Sequence, residues 1–505
     1  MNKKTLAIIL ACLMMLLPAF ASCAKPGDSD DDDDIIGGEI GDPNLVEKDW
    51  DGEAFVVLTY QDRSEGQAFN VVDLTVDEDF NASDPIAKAV YERNAVIKQL
   101  FNADIERVEE NNASYDAILA DTIAYGGEYS AYMLKITKSI NLAINGDILD
   151  LNSEVSYINL QEDWWDTSTI ESLAVKNRAY FALGDINTVD DDATWCVLFN
   201  KYLRERYQGM PNFYDMVRDG DWTVENLKYY ASKAITDGND GGTAQKWQLE
   251  SNYQFGLYFQ NECSTVLLQA SGTTPFTKDA KSGKLTSNLR SVEMQNAVDT
   301  IRENMMLDNT VNQAWALNIN KITGYSGGDI WQNIARGGFK ANKALFFMCH
   351  CGTINLVRDM EKDFGILPIP KLSEGQKEYG NTVQYGNATC YSIPFNTPDP
   401  DFSGFILEAM GYYSSPEGMK EGSLKSAYYD SLLQRKNSRD DASLEMLPLI
   451  FDNRIFDIAC AKNTGSINSL VVQATTTTDA WATVIASNGT KIETEIAEDV
   501  LRLMT

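Results

Sequence analysis

Ala54-Phe55-Val56-Val57-Leu58-Thr59-Tyr60 is a short apolar run that contains several β-branched residues. It follows Asp51-Gly52 and is followed in turn by the polar residues Gln61-Asp62-Arg63-Ser64. An apolar run of this length between turn-forming and polar residues is typical of a strand buried on both faces. The pattern therefore predicts a buried first strand whose carboxyl end opens into a polar loop.

The residues after this strand predict a helix and two further strands. Ser83-Asp84-Pro85 can begin a helix, and apolar residues keep helical spacing from there to about Phe101. Strands are predicted at 102–108 and at 129–136. Strand, helix and strand in this order favour a parallel sheet with helices on its faces, so the predicted fold class is α/β.

The N-terminus has the pattern of a secretory signal. Lys3 and Lys4 give a positive start, the apolar run at 6–17 is too short to span a bilayer, and small residues precede Cys23. Phe20-Ala21-Ser22-Cys23 resembles the bacterial lipobox. Residues 1–22 are therefore predicted to be a lipoprotein signal peptide and Cys23 the lipidated first residue of the mature protein. An ordinary signal peptide cut near Cys23 without lipidation is the alternative.

The segment after Cys23 predicts a tether. The run Asp28-Ser29-Asp30-Asp31-Asp32-Asp33-Asp34 repels itself and has nothing apolar to bury. Residues 23–44 are therefore predicted to be an acidic, disordered stalk at the extracellular face of the cell membrane. A calcium-binding cluster is the alternative, although the glycine turn and distal glutamate of a known calcium loop are missing.

Composition limits what the rest of the chain can be. With 505 residues, 44% of them hydrophobic, the chain can bury a large core and is expected to form two lobes or domains. Its net charge is −32, and it becomes −34 once residues 1–22 are removed. Such a charge repels phosphate backbones, so nucleic acid is not an expected partner. The six cysteines beyond Cys23 are scattered and are expected to be mostly buried small hydrophobes.

The middle of the chain predicts two more strands and a capped helix. Arg178-Ala179-Tyr180-Phe181-Ala182-Leu183 is strand-like and stops at Gly184-Asp185-Ile186-Asn187, and another apolar strand is predicted over 192–201. Thr223 is predicted to cap a helix that extends to about Ile235.

Several segments, in their order along the chain, carry a resemblance to a known family. They are Tyr91-Glu92-Arg93-Asn94, Trp164-Trp165, Tyr180-Phe181-Ala182-Leu183-Gly184-Asp185, Phe199-Asn200-Lys201, Gly220-Asp221-Trp222-Thr223, Phe364-Gly365-Ile366-Leu367-Pro368-Ile369-Pro370-Lys371, Arg439-Asp440, Glu445-Met446-Leu447 and Ile450-Phe451-Asp452. The set resembles the family 1 extracellular solute-binding proteins of bacterial ABC importers, carbohydrate type. More narrowly, it is similar to the long lipoprotein members from anaerobic Gram-positive gut bacteria.

The resemblance implies a two-lobed, periplasmic-binding-protein-like type II fold with hinge-crossing segments. It places 45–184 and 352–395 in lobe 1 of the solute-binding domain, and 186–350 and 396–505 in lobe 2. The hinge candidates are Gly184-Asp185-Ile186-Asn187, Cys349-His350-Cys351-Gly352 and the neighbourhood of Ile393-Pro394. It also implies a monomer that delivers its ligand to ABC transporter permease subunits.

The candidate ligand-binding residues are aromatic and polar side chains near strand ends. Ligands of open parallel sheets bind outside the carboxyl ends of the strands, where aromatic faces can stack on sugar rings and polar groups can bond hydroxyls. The candidates are Tyr60, Asp62, Arg63, Asp185, Asn187, Asp192, Trp195, Trp331, His350 and Asn387. Trp222 is expected to pack at a helix start, whereas Trp164 and Trp165 fit the core and the cleft equally well.

His350 is the single histidine of the chain, and it lies in Cys349-His350-Cys351. Structural zinc needs four ligands, and no second Cys or His cluster accompanies this one, so no metal site is expected. No Gly-x-Ser-x-Gly elbow accompanies the histidine either. A hinge residue beside the cleft is the favoured interpretation, and no cofactor is expected.

Two classes of function remain open from the sequence. The favoured hypothesis is a lipid-anchored extracellular receptor, not an enzyme, that captures a carbohydrate, such as an oligosaccharide, for an ABC permease. The alternative is a surface glycoside hydrolase, which needs two carboxylates facing a scissile bond. A third possibility keeps the receptor fold with a peptide or another polar solute as the ligand.

Overall fold

The computed structural model divides the chain into two compact units, Met1–Gly37 and Gly38–Thr505. The residues that the structure describes all belong to the second unit. They are 41, 45–61, 73–77, 79–234, 254–260, 262–279, 282–306, 311–313, 335–433, 441–477 and 479–503. Within these ranges, no helix has the length and apolar character needed to cross a membrane.

The described strands form two main sheets and one hairpin. They are β1 (Glu53–Gln61), β2 (Ala103–Asn111), β3 (Ala131–Lys135), β4 (Trp195–Asn200), β5 (Phe255–Phe259), β6 (Phe276–Lys278), β7 (Leu285–Ser287), β8 (Val311–Gln313), β9 (Ala344–His350), β10 (Phe364–Leu367) and β11 (Thr389–Ser392). The first sheet has the order β11-β3-β1-β2 and the second the order β10-β4-β9-β5-β8, while β6 and β7 pair as the hairpin. Each main sheet is the centre of one lobe.

Helices lie between and beside the strands. They are α1 (Pro85–Phe101), α2 (Asn112–Tyr125), α3 (Ile136–Asn145), α4 (Thr167–Leu173), α5 (Val189–Asp192), α6 (Lys201–Arg206), α7 (Phe213–Asp219), α8 (Val224–Lys233), α9 (Cys263–Ala270), α10 (Val292–Ile301), α11 (Gly337–Lys340), α12 (Thr353–Val357), α13 (Pro400–Ser414), α14 (Leu424–Leu433), α15 (Asp441–Leu444), α16 (Leu447–Phe451), α17 (Ile458–Lys462), α18 (Ile467–Thr476) and α19 (Trp481–Leu503). A π-helix spans Arg302–Met306 and a 3-10 turn spans Thr464–Ser466.

The first sheet confirms the predicted strand–helix–strand unit. β1 pairs in parallel with both β2 and β3, and β11 adds an antiparallel strand beside β3. The Asp84 carboxylate accepts from the first two backbone amides of α1, Pro85 occupies the first turn, and Asn102 ends the helix in a left-handed conformation. The apolar runs at β1 and β3 are buried, as their composition predicted.

The second sheet is mixed in direction. β4 pairs antiparallel with both β9 and β10, whereas β5 pairs in parallel with β9 and β8. Every residue of β4 and β9 is buried. Apolar strands of this kind, buried on both faces, form the core of the second lobe.

Two predicted lobe assignments need correction. The chain does not leave the second lobe at Cys349–Gly352, because α12 packs on β9 and β10 then returns to the same sheet. Of the stretch 352–395, β11 is the strand that joins the first sheet. In addition, α13 and α14 pack against α1, so part of 396–505 lies with the first lobe. Spacing within a segment does not reveal which of two sheets it will join.

The two lobes are connected by segments that lie side by side. We call 182–195 crossing segment 1, 381–391 crossing segment 2, and 452–457 crossing segment 3. Segments 1 and 2 pair through Ala182 with Tyr391 and through Thr194 with Val383. Segment 3 pairs with segment 2 through Arg454 and Asn381. The first predicted hinge, Gly184-Asp185-Ile186-Asn187, lies in crossing segment 1.

Further local predictions are confirmed. Thr223 Oγ1 accepts from the amide of Asn226 at the start of α8, and the Trp222 ring is buried, with its Nε1 donating to the Pro368 carbonyl over 2.8 Å. The C-terminal helix α19 buries Ile492, Ile496 and Val500. The six cysteines from Cys196 to Cys460 are buried thiols without disulfides.

Candidate functional site

Tyr60 and Asn387, two of the predicted ligand-binding residues, lie together. The Tyr60 hydroxyl donates to the Asn387 backbone carbonyl over 3.4 Å. The Lys135 ammonium lies 4.7 Å from the centre of the Tyr60 ring, a cation–π arrangement. Tyr60 itself is buried, whereas Asn387 is partly exposed. The carboxyl end of β1 therefore meets crossing segment 2, as the predicted fold requires.

Asn187 and Asp192 bond within the protein. The Asn187 amide nitrogen donates to the Thr389 carbonyl over 2.7 Å, and its oxygen accepts from the Val189 amide over 3.0 Å. Asn187 thereby links crossing segments 1 and 2. The Asp192 carboxylate accepts from the Tyr428 hydroxyl over 3.0 Å, and burial raises the pKa of Asp192.

Trp195 and His350 are neighbours across the second sheet. They are paired residues of β4 and β9, and their ring centres are 4.2 Å apart. Both side chains are buried, and burial lowers the pKa of His350 to about 3. The imidazole is therefore neutral at physiological pH. We call Tyr60, Asn187, Asp192, Trp195, His350 and Asn387 the strand-end residues; their contact with a ligand stays a prediction.

Four other predicted residues lie outside the described part of the chain. They are Cys23, Asp62, Arg63 and Trp331. Their predicted roles in lipidation and in ligand binding remain predictions.

The last predicted site residue, Asp185, lines a cavity of about 250 Å³ beside the crossing segments. We call this cavity the hinge pocket. Its walls come from the turn at 163–168, from crossing segment 1, from α14, and from the stretch 451–454. Four separate stretches of chain thus bring charged and aromatic side chains to one place.

Arg454 holds together the carboxylates of the hinge pocket. Its guanidinium donates to Asp166 over 2.6 Å, to Asp191 over 2.9 Å and to Asp190 over 3.1 Å. Burial raises the pKa of Asp191 to about 6 although Arg454 opposes this shift, and burial likewise raises the pKa of Asp190. Only 6% of the Arg454 side chain is exposed. A buried cation shared by three carboxylates fixes crossing segment 1 against segment 3 and the 163–168 turn.

A second ion pair lines the pocket at Asp185. The Lys425 ammonium donates to the Asp185 carboxylate over 2.8 Å. Burial raises the pKa of Asp185 to about 7, and Lys425 opposes that shift. Gly184 allows the turn that places Asp185: its φ is +150°, and a Cβ there would lie 2.2 Å from the Trp164 carbonyl oxygen. The carboxylate is therefore held at the pocket wall by backbone geometry that only glycine fits.

Aromatic rings form the remaining wall. Tyr429 and Phe451 are stacked, with ring centres 5.5 Å apart and planes 17° apart. Trp165 also lines the pocket, and its Nε1 donates to the buried Glu408 carboxylate over 3.0 Å. Trp164 and Trp165 are both buried, which the sequence had left open between core and cleft. Flat apolar faces next to carboxylates and an ammonium suit a polar ligand with ring-shaped apolar faces.

Comparisons with known proteins find no matching family model and no matching curated protein. Solved structures do match. An ABC substrate-binding protein from Listeria monocytogenes in complex with cycloalternan has a TM-score of 0.51 at 11% identity, covering 88% of this chain and 100% of that chain. A sugar transporter from Rhizobium etli in an open conformation has a TM-score of 0.52 at 14% identity, covering 90% and 99%. An ABC transporter solute-binding protein from Agrobacterium radiobacter K84 in complex with ribitol has a TM-score of 0.50 at 15% identity, covering 89% and 100%.

The chain has the fold of ABC-transporter solute-binding proteins. This solute-binding fold confirms the predicted class, a mixed α/β architecture of two lobes. It also gives the hinge pocket its context, because the pocket adjoins the segments that join the lobes. Side chains on such segments are displaced relative to one another when the lobes of a hinged protein move.

Sequence reasoning missed most of the hinge pocket. Asp166, Asp191, Lys425, Tyr429 and Arg454 all line it and were not among the predicted site residues. One signal was available: Asp190-Asp191-Asp192 precedes a strongly apolar strand, so its carboxylates require a cation from elsewhere in the chain. Across the described ranges, no group of three or more His, Cys, Asp or Glu side chains is placed to hold a metal ion.

Proposed function

We propose that this protein is an extracellular, lipid-anchored solute-binding protein that captures a carbohydrate and delivers it to the permease of an ABC transporter. The observation that carries the proposal is the hinge pocket, found in a chain with the solute-binding fold. Stacked rings, carboxylates and an ammonium converge there on the segments between the lobes. A ligand that contacts such segments can favour one arrangement of the lobes over another.

The chemistry of the pocket supports a sugar as the ligand. Asp185 and Asp452 supply acceptors for hydroxyl groups, Lys425 supplies donors, and the Tyr429–Phe451 pair supplies apolar ring surface. The names of the similar structures, which include cycloalternan and ribitol complexes, agree with a ligand rich in hydroxyl groups. We propose binding without turnover as the activity.

The cellular setting of the proposal rests on the N-terminal sequence. Cys23 in its lipobox-like context and the Asp28–Asp34 run fit a lipid anchor followed by a stalk. A receptor held in this way by a Gram-positive cell would stay near its permease without a membrane-spanning helix. We propose that it acts there as a monomer.

The experiment that tests the function is a thermal-shift screen of the purified chain. The panel contains monosaccharides, polyols and malto-, cello- and xylo-oligosaccharides, with short peptides as the contrasting ligands. A sugar present at 100 times its dissociation constant stabilises the folded state by about 2.7 kcal/mol, which raises the midpoint temperature by a few degrees. We expect one glycan class to give this shift and the peptides to give none.

The same samples test for catalysis. Asp185 and Asp191 are carboxylates with raised pKa in one pocket, and a pair of carboxylates is also what a glycoside hydrolase requires. Chromatography of the bound glycan after prolonged incubation should recover it uncut. Cleavage would overturn the receptor proposal in favour of a hydrolase, and a shift with peptides alone would overturn the ligand class.

A further inference from the structure

A second cavity, larger than the hinge pocket, lies beside the β6–β7 hairpin. Its volume is about 660 Å³, within the usual range for sites that bind small molecules. Its walls come from three separate stretches of the chain. One wall is α4 and the residues just after it, another is the hairpin, and the floor is the stretch 455–458. We call it the hairpin cavity and define it by Ser172, Leu173, Thr274, Phe276, Thr277 and Phe456.

The lining of the hairpin cavity suits a sugar ring. Phe276 and Phe456, both largely buried, line the cavity together with the hydroxyl-bearing residues Ser172, Thr274 and Thr277. Phe456 is held in place by edge-on contact with Tyr385 of crossing segment 2, with ring centres 5.6 Å apart. Apolar faces combined with hydroxyl groups bind sugars through stacking and hydrogen bonds.

A depression of about 320 Å³ shares lining residues with both cavities: Asp452 and Arg454 with the hinge pocket, and Gly272 and Ile455 with the hairpin cavity. Successive residues of one stretch line successive spaces: Phe451 and Asp452 the hinge pocket, Asn453 the joining depression, and Phe456 and Asp457 the hairpin cavity. Ser168 borders all three spaces.

The hairpin is anchored to the end of α4 beside this cavity. The Lys278 ammonium, on β6, donates to the carbonyls of Glu171 and Ser172 over 2.6 and 3.2 Å, and also to that of Ala174. These carbonyls lie at the C-terminal end of α4, where a helix dipole favours a cation. At the hairpin turn, a Cβ on Gly283 would lie 3.0 Å from the backbone nitrogen of Lys176, so the turn packs closely on the residues after α4. The hairpin thus holds one wall of the cavity against the wall formed by α4.

We propose that the hairpin cavity is a second sugar subsite, joined to the hinge pocket by a groove along 451–458, and that the ligand is an oligosaccharide long enough to occupy both. This inference rests on the proposed function and adds to it the length class of the ligand and the place of its far end. Contacts at both ends of the groove make affinity depend on the number of sugar units. A mono- or disaccharide occupies one cavity at a time.

The experiment measures dissociation constants by calorimetry for ladders of malto-, cello- and xylo-oligosaccharides, from disaccharide to hexasaccharide, with the full chain. The test variant is Thr277→Trp. Thr277 is exposed on β6 and lines the hairpin cavity but not the hinge pocket, so a tryptophan there fills the far cavity. Tryptophan suits a strand position, and thermal unfolding of the variant checks that it folds. Thr277→Val, which removes the hydroxyl without filling space, is the matched control.

We expect affinity in one ladder to increase with length by at least about tenfold, equivalent to 1.4 kcal/mol, and then to level off. Thr277→Trp should remove that increase, leaving the hexasaccharide bound no more tightly than the disaccharide, whereas Thr277→Val should retain most of it. Length-independent affinity, or an unchanged increase in Thr277→Trp, would overturn the second subsite and leave the receptor function standing. Failure of every ladder to bind the unmodified chain would instead overturn the proposed function.

Discussion

The strand-end residues and the hinge pocket adjoin the same crossing segments, but their side chains are used in different ways. Asn187 is buried and bonds to Thr389 and Val189, and His350 is buried, neutral and packed on Trp195. The hinge pocket instead gathers charged groups, with Asp185 paired to Lys425 at the wall of a cavity. Asn187 of the first set fastens crossing segments 1 and 2 to each other, whereas the second set places ionic and aromatic groups at the wall of a cavity.

The contrast shows that polar residues at strand ends have bonding partners inside this protein. In a two-lobed protein the crossing segments bury many backbone and side-chain polar groups, and these must find partners inside the protein. Asn and Asp at strand ends satisfy that need first. A ligand-binding role is better indicated by charged groups that remain at a cavity wall after such bonds are made.

Replacing Arg454 should cause the largest loss of stability. Arg454 connects crossing segments 1 and 3 through its ion pairs, and it also lines the hinge pocket. Arg454→Met leaves Asp166, Asp190 and Asp191 without their shared cation, with Asp190 fully buried. Breaking a buried ion pair from one side costs about 3–5 kcal/mol of unfolding free energy. Denaturant unfolding should show this loss.

Arg218→Met is the control for Arg454. Arg218 also bonds two carboxylates, Asp215 and Glu445, but it does so at the surface. Its replacement should change the unfolding midpoint only slightly, since exposed ion pairs are screened by water and salt. Equal losses in the two variants would show that the Arg454 network is not a structural centre of the hinge.

The second prediction tests whether the strand-end residues fasten the hinge. Asn187→Ala removes the bonds to the Thr389 carbonyl and the Val189 amide, leaving buried polar groups without partners. We expect a loss of about 1–3 kcal/mol in unfolding free energy. Asn141→Ala removes an exposed bond to the Thr137 carbonyl and should cost less. A large loss of sugar affinity in Asn187→Ala with unchanged stability would place Asn187 among the ligand contacts after all.

A feature could be predicted from the sequence when the residues that determine it lie close together in the chain. α1 matched its prediction because its cap, its proline and its apolar spacing are all local. The lobe to which β10 belongs depends on pairing with β4, more than 160 residues earlier in the chain, and it was assigned to the wrong lobe. Arg454 and Asp190 are 264 residues apart, so no local pattern could show that they meet.

Asp185 shows how much of the site could be predicted from the sequence. It was predicted because it follows an expected strand at 178–183 and a glycine. The structure has only isolated bridges in that run, but Asp185 does line the hinge pocket. Its partner Lys425 comes from α14, a helix that the predicted assignment placed in lobe 2 although it packs against α1 of the first lobe. The chemistry of a single residue was therefore visible, but the set of residues that share its cavity required the fold.

The third prediction concerns ligand affinity. Asp185→Asn keeps the size of the side chain but removes the charge that pairs with Lys425 and that accepts from ligand hydroxyls. We expect the sugar identified by thermal shift to bind about tenfold more weakly, since a hydrogen bond to a charged group contributes roughly 1.5–3 kcal/mol. The unfolding free energy should change by less than about 1 kcal/mol, because Lys425 is 35% exposed. Calorimetry and denaturant unfolding of one preparation separate the two effects; a larger loss of stability than of affinity would place Asp185 with the fastening residues.

The smallest expected effect is a pH dependence of stability caused by Glu408, which bonds Trp165 of the hinge-pocket wall. Burial raises the pKa of Glu408 to about 7 from an ordinary value of 4.5, while the Trp165 indole and the Asn159 amide bond to its carboxylate. The folded protein therefore binds more protons than the unfolded chain between about pH 4.5 and 7, and stability is lost as the pH rises through 7. His350 acts in the opposite direction, because its lowered pKa costs stability as the pH falls below about 6.5.

Comparing the Glu408→Gln variant with the unmodified protein isolates the effect of Glu408, because both proteins contain His350. Glutamine can still accept from Trp165, so the pocket wall is kept while the titrating group is removed. We expect the midpoint temperature of the variant to fall less than that of the unmodified protein between pH 5 and pH 8. Glu445→Gln, which removes a surface carboxylate bonded to Arg218, should leave the difference unchanged. Identical pH profiles for Glu408→Gln and the unmodified protein would mean that Glu408 stays ionised in the fold, and that Trp165 is held against a charged group like those in the pocket in front of it.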